Sequence, residues 1–482
     1  AHPYGDRRHR DGGGRGLTVR PVVTVAEMRA ADAAAPVPEE TLVRRAGTAA
    51  AVAALRMLGG AYARRVVVVA GKGNNGADGR VAAQVLARRG ARVTVVAPGA
   101  PVDDCDLVVD AALGTGLRGP YEAPAPPARA EVLAVDIPSG VDGDTGAAPG
   151  RPMVATRTVT FGALKPGLLQ GEGPRFAGRV DVADIGLGQI EARISLMEDA
   201  DLSRLVPRRP AQTHKWATAV CVVAGSPGME GAATLAARGA SRAGAGMVRL
   251  GVPGSAEAPG LGHWPGEAVR FALPSSGWAG EVLEVLERCR ALVIGPGLGR
   301  APSTVDDIRS VVARARVPVV VDADALFALG DESSARRIVA GDRPVVVTPH
   351  DGEHERLTGA PPGPDRVAAA RRLAGGLGAV ALVKGSLTAV ASPFGEVRLS
   401  SAGSSRLATA GTGDVLSGVI GAFLARGAPP LEAAALAAHV HGRAASDGPA
   451  EGLVAVDLPE LISARLSRAL DPVARGTARG DG

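Results

Sequence analysis

The chain has 482 residues, of which 46% are hydrophobic and 21% are charged, and its formal net charge is +5. This length predicts two or three domains, and the composition excludes a disordered protein. No apolar run approaches the ~18–20 residues of a membrane span and no signal segment opens the chain, so we expect no membrane association. Three scattered cysteines form neither a disulfide framework nor a paired metal site, which predicts a cytoplasmic protein. Positive charge is spread without a dense basic block, so we expect no nucleic-acid partner.

Two residue types are rare enough to point at functional sites. A codon bias towards Ala, Arg, Gly and Pro explains the background composition. Because Arg cannot replace the compact ammonium of Lys, and Asp cannot replace a neutral amide, the residues that persist are candidates for chemical roles. The chain has only four lysines and two asparagines, which are Lys72, Lys165, Lys215, Lys384, Asn74 and Asn75.

The first half of the chain alternates strands and helices. Residues 1–16 are rich in Gly and Arg and predict a disordered tail. Residues 27–57 predict helices, and 79–89 predict another helix. Short apolar runs predict strands at 65–70, 91–96, 107–110 and 132–136. This alternation is typical of a parallel sheet covered on both faces, so we expect a Rossmann-like α/β domain over residues 17–190.

Four turns that follow strands of the first half carry polar residues. They are GKGNNGADG at 71–79, the turn after Asp110, DIPSG at 136–140 and ALKPG at 163–167. Turns after the strands of a parallel sheet gather at one edge, where ligands bind. The four turns predict a site with two carboxylates, a hydroxyl, two amides and one ammonium. The Gly-rich segment alone is also compatible with a tight turn, since it is neither a GxGxxG fingerprint nor a phosphate loop.

These motifs, with VAEMRAAD at 25–32, resemble the NAD(P)H-hydrate epimerases over residues 19–190. That family interconverts the R and S epimers of NADHX and NADPHX, which carry a water at nicotinamide C6. The resemblance implies that Asp136 is the catalytic carboxylate and that Asn75, Asp110 and Ser139 hold a potassium ion. A carboxylate suits this chemistry because the hydroxyl must leave and return with a proton; for Asp136 alone, a helix cap or turn residue is the alternative. The implied substrate contacts are Asn74, Asn75, Gly76, Ala77 (glycine in most of the family), Asp78, Gly114, Thr115, Gly116, Leu117, Arg118, Gly119, Pro120, Asp136 and Lys165.

A second α/β region follows the prolines at 207 and 210. The stretch before it shows no clear strand, so we place a linker at 191–205, a second domain at 206–470 and a tail at 471–482. Apolar runs predict strands at 218–224, 291–294, 318–321, 344–347 and 379–383, and a helix at 415–424. The halves share no obvious repeat, which predicts a fusion of two different domains.

The sequence GTGD at 411–414 opens the predicted apolar helix. Backbone N–H groups and the helix dipole there form an anion hole for a phosphoryl group and are expected to keep the carboxylate of Asp414 ionised at neutral pH. An ionised carboxylate beside such a group can take a proton from a hydroxyl. A charge that only stabilises the helix start is the alternative. The other motifs of this half are GSPG at 225–228, GPGLG at 295–299, DADAL at 322–326, TPHDGE at 348–353 and KGSLT at 384–388.

Together these motifs resemble the ADP-dependent NAD(P)H-hydrate dehydratases of the ribokinase-like superfamily over residues 197–470. The resemblance implies phosphorylation of the C6 hydroxyl and loss of phosphate, a far better leaving group than hydroxide. Asp414 is then the catalytic base, and Mg²⁺ accompanies ADP. Met229 stands where the family often has tyrosine. The implied contacts with NAD(P)HX are Ala232, Gly297, His350 and Asp414, and those with ADP are Lys384, Gly385, Ser386, Leu387, Thr388 and Gly413.

The two resemblances predict a bifunctional repair enzyme and, as an oligomeric state, a homo-oligomer. The epimerase would supply the epimer that the dehydratase consumes. GTGD also permits a small-molecule kinase of the hydroxymethylpyrimidine type with a ligand-binding N-terminal module, although TPHDGE disfavours it. The first half could also be a scaffold without activity, although a scaffold has no need of Asp136, Lys165 or the paired asparagines. His439 and His441 are interpreted as structural, and His350 with His354 lacks a third zinc ligand.

Overall fold

The computed structural model of the chain describes residues 19–116, 119–257 and 265–471. Contacts within the chain divide it into two units, and the boundary between them in the sequence lies between residues 194 and 195. The predicted tail at 1–16 lies outside the described residues, as does all of the tail at 471–482 except Asp471. Leu117 and Arg118 also lie outside them. No helix in the described ranges combines the length and the apolarity that crossing a bilayer requires.

The first unit is built on a six-stranded sheet with the order β3–β2–β4–β5–β6–β7, in which all neighbouring strands are parallel. Its central strands are runs of buried β-branched residues, as a sheet covered on both faces requires. The elements of this unit are β1 (Arg20–Val22), α1 (Val25–Ala33), α2 (Glu39–Leu58), β2 (Arg65–Ala70), α3 (Asn74–Arg88), β3 (Arg92–Val96), β4 (Leu107–Ala111), β5 (Glu131–Val135), β6 (Arg157–Phe161), a 3₁₀ turn (Pro166–Leu168), α4 (Gly173–Ala177) and β7 (Arg179–Ala183).

Helix α3 begins at Asn74, five residues before the predicted start. The prediction treated the glycines as loop residues, but they allow the helix to pack directly on the sheet. A Cβ atom on Gly76 would lie 1.9 Å from the carbonyl oxygen of Gly71, and one on Gly79 would lie 2.5 Å from the Cβ of Ala111. The paired asparagines therefore stand on the first turn of a helix.

The second unit begins within β8 and has the strand order β8–β17–β16–β15–β14–β13–β12–β9–β10–β11. The pairs from β11 to β15 are parallel, and β15, β16 and β17 form an antiparallel meander. The strands are β8 (Ile194–Leu196), β9 (Ala219–Val223), β10 (Met247–Pro253), β11 (Ala268–Leu273), β12 (Ala291–Ile294), β13 (Val319–Val321), β14 (Val345–Val347), β15 (Val380–Val383), β16 (Thr388–Ala391) and β17 (Val397–Ser400).

Helices cover this second sheet, and α13 is buried along its whole length behind its first turn. A helix that is apolar all round belongs in the interior. The helices are α5 (Asp199–Leu205), α6 (Glu230–Arg242), α7 (Ala279–Leu286), α8 (Pro302–Arg314), α9 (Asp324–Leu329), α10 (Glu332–Val339), α11 (Asp351–Thr358), α12 (Arg366–Leu377), α13 (Thr412–Ala425), α14 (Pro430–Asp447) and α15 (Leu458–Leu470), with 3₁₀ turns at Lys215–Thr218, Ser405–Leu407 and Ala455–Asp457.

The prediction that residues 191–205 lack a strand is wrong. They contain β8 and helix α5, and the backbone N–H of Met197 donates to the carbonyl oxygen of Leu399 in β17. The strand is too short to give a clear alternating pattern, but Ile194 and Leu202 are fully buried. This stretch is therefore part of the folded structure and not a free linker.

Candidate functional sites

A cavity of about 1030 Å³ opens at the carboxyl edge of the first unit's sheet. Its wall comes from α1, from the loop between β2 and α3, and from the loops after β4, β5 and β6, because the strands are parallel and their following loops share one edge. The polar or glycine residues in that wall include Arg29, Asp32, Glu39, Lys72, Asn74, Asn75, Gly76, Asp78, Gly114, Thr115, Gly116, Asp136 and Lys165.

A buried ion pair lies at the floor of this cavity. The ammonium of Lys165, which is 1% exposed, donates to Asp136 Oδ1 at 2.6 Å, to Thr160 Oγ1 at 2.8 Å and to the carbonyl oxygen of Phe161 at 3.0 Å. The Thr160 hydroxyl in turn donates to Asp136 Oδ1 at 3.1 Å. Asp136 follows β5 with a φ of +66°, a left-handed conformation that aspartate tolerates better than most residues. Its carboxylate is thus held in one orientation on the cavity wall.

Two further carboxyl groups, Asp78 and Asp32, line the same cavity. Asp78 is 7% exposed, and its Oδ1 atom has no hydrogen-bond partner within the described residues. Burial, with the negative charges of Asp136 and Asp32, raises the pKa of Asp78 to about 8, so this carboxyl is neutral at pH 7. Burial also raises the pKa of Asp32, which the Lys165 ammonium opposes. Sequence reasoning missed Asp32 as a site residue, and its only signal was the motif at 25–32.

The residues predicted to hold potassium are brought together beside the cavity. Asn75 donates from Nδ2 to the carbonyl oxygen of Leu113 at 2.8 Å, and Ser139 Oγ lies 3.0 Å from the same oxygen. Asp110 is fully buried and accepts from the backbone N–H of Ser139 at 2.9 Å. Burial raises the pKa of Asp110, against the hydrogen bonds from Ser139. The Oδ1 atom of Asn75 is buried and has no partner in the part of the chain that the structure describes.

The remaining predicted contacts of the first unit divide into two groups. Asn74 lines the cavity and donates to Glu39 Oε1 at 2.6 Å, and the three residues at 114–116 also lie in the wall. Ala77 is half-buried on α3 outside the lining, where the helical backbone accommodates its methyl group. Gly119 and Pro120 are exposed and lie outside the lining. Leu117 and Arg118 fall outside the described residues.

A second buried ion pair lies in the second unit. The Lys384 ammonium donates to Asp322 Oδ1 at 2.7 Å, and Ser417 Oγ donates to Asp322 Oδ2. Asp322 is 1% exposed, and its pKa lies below its usual value because Lys384 and these hydrogen bonds outweigh the effect of burial. Burial lowers the pKa of Lys384, but the charge of Asp322 and its hydrogen bond, together with the charges of Glu353 and Asp414, raise that pKa above its usual value. Asp322 is the first residue of the DADAL motif, but the sequence alone did not predict it as a site residue.

Asp414 stands on the first turn of α13, after Gly411 in a left-handed conformation. The expectation that the helix start keeps its carboxylate fully ionised at pH 7 is wrong. Burial and the negative charge of Asp322 raise its pKa to about 7, and Lys384 only partly offsets them. Asp414 is therefore close to half-protonated at neutral pH, which is the state in which a carboxyl can both take and give a proton.

Two predicted substrate contacts lie against each other. A Cβ atom on Gly297 would lie 2.8 Å from the Cβ of Ala232, so the loop after β12 touches the first turn of α6 at these residues. Met229, at the start of α6, is 49% exposed beside them. His350 caps α11: its Nδ1 accepts from the backbone N–H groups of Gly352 and Glu353 at 3.1 and 3.3 Å, and its ring is exposed. Because Nδ1 is an acceptor there, Nε2 carries the proton.

The residues predicted to bind ADP form the turn between β15 and β16, together with Gly413. Leu387 is buried, so only its backbone could reach a ligand. Thr388 Oγ1 donates to the carbonyl oxygen of Gly385 at 3.2 Å, which closes the turn around Ser386. A Cβ atom on Gly413 would lie 3.5 Å from the Lys384 ammonium, which places the first turn of α13 directly over the ion pair.

Three of the other histidines have structural partners. His439 Nε2 contacts Asp199 Oδ1 at 3.0 Å, His441 Nε2 donates to the carbonyl oxygen of Thr412 at 3.0 Å, and His354 Nδ1 contacts the carbonyl oxygen of Ala360 at 3.0 Å. Among the described residues, no group of three or more His, Cys, Asp or Glu side chains is arranged to hold a metal ion.

The fold of the second unit is found in a solved structure. A ribokinase-like superfamily protein from Enterococcus faecalis V583 matches 59% of this chain and 99% of its own, with a TM-score of 0.50 at 22% identity. An ADP/ATP-dependent NAD(P)H-hydrate dehydratase from Bacillus subtilis, co-crystallised with ATP and Mg²⁺, matches 56% of this chain and 97% of its own, with a TM-score of 0.48 at 30% identity. The predicted ribokinase-like fold is confirmed.

Sequence comparison covers both units. Residues 220–467 match the family described as NAD(P)H-hydrate dehydratase, and 39–104 with 96–167 match the YjeF-related protein N-terminus. The bifunctional NAD(P)H-hydrate repair enzyme Nnr of Moorella thermoacetica is 37% identical over 88% of this chain and 92% of its own. The enzyme of the same name from Mycobacterium tuberculosis H37Rv is 40% identical over 86% of this chain and 92% of its own. These matches do not support the kinase and scaffold alternatives. The chain belongs to the family of bifunctional NAD(P)H-hydrate repair enzymes.

Proposed function

We propose that the first unit epimerises NADHX and NADPHX in the cavity above Asp136. The observation that carries this proposal is the Lys165–Asp136 pair, since it fixes one carboxylate on the wall of a cavity large enough for a nicotinamide ring. Epimerisation breaks the C6–O bond, releases the hydroxyl with a proton as water, and re-forms the bond on the other face. Asp136 is placed to stabilise the positive charge on the ring and to move that proton. Asp78, a neutral carboxyl, can donate a hydrogen bond to the substrate.

A potassium ion fits beside this cavity. Within the residues that the structure describes, Asn75 Oδ1 is a buried oxygen without a partner, and Asp110 is a buried carboxylate with no cationic partner among its hydrogen bonds. A hard cation prefers such oxygen ligands, and Ser139 Oγ and the carbonyl oxygen of Leu113 lie beside them. The ion would supply charge that compensates Asp110. In binding it, these residues would fix the start of α3 and the loop after β4 against the substrate.

We propose that the second unit dehydrates the S epimer at the start of α13, using ADP. Asp414 takes the proton of the C6 hydroxyl, and the hydroxyl oxygen bonds to the terminal phosphorus of ADP. The phosphoanhydride bond breaks at the same time, which releases AMP. The C6–O bond then breaks with its electron pair leaving as phosphate, and loss of a proton from C5 of the resulting ring cation restores the C5–C6 double bond and regenerates NAD(P)H. Lys384 and the N–H groups around Gly413 are placed to hold the phosphoryl oxygens. Mg²⁺ would arrive with the nucleotide, since it binds few protein ligands besides substrate phosphates. The homo-oligomer and the cytoplasmic location stay predictions.

The experiment is incubation of the full chain with mixed NADHX epimers and ADP, with Mg²⁺ and potassium present. Reduced-nicotinamide absorbance reports dehydration, and chromatography of the remaining epimers reports epimerisation. We expect Asp136→Asn to lower the rate of epimerisation by roughly 10²–10⁴-fold while dehydration of S-NADHX continues. We expect Asp414→Asn to lower the rate of dehydration by the same factor while epimerisation continues. Asp181→Asn, which removes a half-exposed ion-pair partner of Arg157, is the control. Loss of both activities in either single variant would refute the assignment of one reaction to each unit.

A further inference from the structure

Asp322 is a fully buried carboxylate at the centre of the second site. It follows β13 and precedes Ala323, which has a φ of +49° and is therefore strained for a residue with a side chain. Non-glycine residues adopt such a conformation only where surrounding contacts impose it. Here the strained turn places Asp322 against Lys384 and Ser417, and it places Asp324 where it accepts from the backbone N–H of Gly299 at 2.9 Å.

Two partners of Asp322, Lys384 and Ser417, come from different elements, and both reach the start of α13. Lys384 follows β15, and its ammonium lies 3.5 Å from the position that a Cβ on Gly413 would occupy. Ser417 is on α13 itself, and its Oγ also lies 3.0 Å from the carbonyl oxygen of Gly413. One carboxylate therefore links the β15–β16 turn to the first turn of the helix that carries Asp414.

Charges from several elements act on Asp414. Asp322 and Asp324 come from the turn after β13, Glu353 from α11 and Lys384 from the turn after β15. On the α14 side, His441 donates to the carbonyl oxygen of Thr412, and burial lowers its pKa to about 4, so it adds no charge at neutral pH. Asp322 is the carboxylate with the largest effect, and Lys384 is the one cation among the groups named here.

We infer that Asp322 is a positioning residue of the dehydratase site, which orients the Lys384 ammonium and the first turn of α13 and sets the pH range in which Asp414 accepts a proton. This inference rests on the proposed function of the second unit. It assigns Lys384 two contacts, a permanent one with Asp322 and one with the phosphates of the nucleotide. Asp322 itself does not contact the reacting atoms.

Two substitutions should shift the pH profile in opposite directions. In Asp322→Asn a negative charge is lost and Lys384 remains, so Asp414 should ionise more readily and the acid limb of kcat should move about one pH unit lower. In Lys384→Met a positive charge is lost and Asp322 remains, so the same limb should move higher. Both variants should also need more ADP, because the ammonium is displaced or absent. A role in stability alone would lower activity at all pH values without moving the limb.

The assay uses the full chain with pure S-NADHX and saturating ADP across pH 5–9, with ADP affinity measured separately by calorimetry. Asp307→Asn is the matched control, because Asp307 is a buried carboxylate of the same unit that accepts only from backbone N–H groups of Gly277 and Ala279. It should leave the profile unchanged. If Asp322→Asn fails to fold, Lys384→Met decides the question, through an acid limb that lies higher than that of wild type.

Parallel profiles for wild type, Asp322→Asn and Lys384→Met would overturn the inference while leaving the proposed dehydration intact. Absence of ADP-dependent dehydration in the wild-type chain would instead refute the proposed function. In that case calorimetry still tests the positioning of Lys384, because ADP should bind more weakly to Asp322→Asn than to Asp307→Asn. Equal ADP affinity of these two variants would overturn the positioning role.

Discussion

Substitution of Asp78 by Asn should stabilise the first unit, and the gain should grow as the pH rises. Asp78 is buried on the cavity wall, its Oδ1 atom lacks a partner in the described residues, and the charges of Asp136 and Asp32 act on it. These effects hold its carboxyl in the neutral form to a pH of about 8. In the unfolded chain the same carboxyl ionises near its ordinary pKa of 3.8. An amide has nearly the same size and no charge to bury.

The magnitude follows from the linkage between protonation and folding. Between the unfolded pKa and the folded pKa, the native state holds a proton that the unfolded state has released, so the free energy of unfolding falls as the pH rises. Each pKa unit corresponds to about 1.4 kcal/mol. The interval from 3.8 to pH 7 therefore gives an upper bound of roughly 4 kcal/mol for the destabilisation by Asp78. Because water in the cavity screens the charge, we expect about half of that value.

The assay is urea unfolding of the full chain at several pH values from 5 to 8.5. All three tryptophans, Trp216, Trp264 and Trp278, lie beyond residue 194, so their fluorescence reports on the second unit and serves as an internal control. Hydrogen exchange of peptides from α3 and β4 reports on the first. In Asp78→Asn the first unit should gain stability and show a shallower fall of stability with pH above pH 5, with the remaining slope coming from Asp32 and Asp110. A variant no more stable than wild type at pH 7, with the same slope, would refute the reasoning.

Three further predictions concern the first unit. Asn75→Ala removes the Oδ1 atom that has no partner in the described residues, so epimerisation should slow and lose its response to potassium. Dehydration of the S epimer should not change. An unaltered potassium response would show that Asn75 does not bind the ion. Lys165→Met leaves Asp136 without its counter-charge, so we expect a loss of about 3 kcal/mol in unfolding free energy together with lost epimerisation, measured by denaturation and chromatography. Gly76→Ala places a methyl group 1.9 Å from the carbonyl oxygen of Gly71. We therefore expect the free energy of unfolding of this unit to fall by ~1–3 kcal/mol, measured from its unfolding midpoint. An unchanged midpoint would contradict the close packing of α3.

Much of the strand framework could be predicted from the sequence, because its signal is local. Runs of β-branched residues such as 65–70 and 291–294 match the observed strands, and other predicted strands differ by about one residue at their ends. The carboxyl-edge rule for parallel sheets then brought Asp110, Asp136 and Lys165 to one place without any contact information. Elements with a mixed sequence were harder to predict. The three-residue strands β13 and β14 are unbroken valine runs and were predicted, whereas β8 (ISL) and β10 (MVRLGVP) contain polar or glycine residues and were not. Helix α5 is marked mainly by the acidic cap of Glu198 and Asp201.

The protonation states could not be predicted, because they depend on groups that are distant in sequence. A helix start lowers the pKa of a carboxyl placed there, and that local rule predicted an ionised Asp414. In the folded chain Asp322, far upstream in sequence, adds a negative charge, and burial of the carboxyl opposes ionisation further. The same holds for Asp78, whose pKa depends on Asp32 and Asp136. The sum of these effects exists only after the sheet has brought the loops together.

The scarcity of lysine takes on a physical meaning when the two units are compared. Their sheets have different strand orders, yet each site contains a lysine that donates to an aspartate after a parallel strand: the buried Lys165 to Asp136, and the partly buried Lys384 to Asp322. An ammonium concentrates its charge and three donors on one nitrogen atom, whereas a guanidinium is larger and planar. Beside each pair stands a second carboxyl whose pKa burial raises towards neutrality, Asp78 at about 8 and Asp414 at about 7. In a chain where arginine supplies nearly all the positive charge, two of the four lysines therefore form the ion pairs of the two candidate sites.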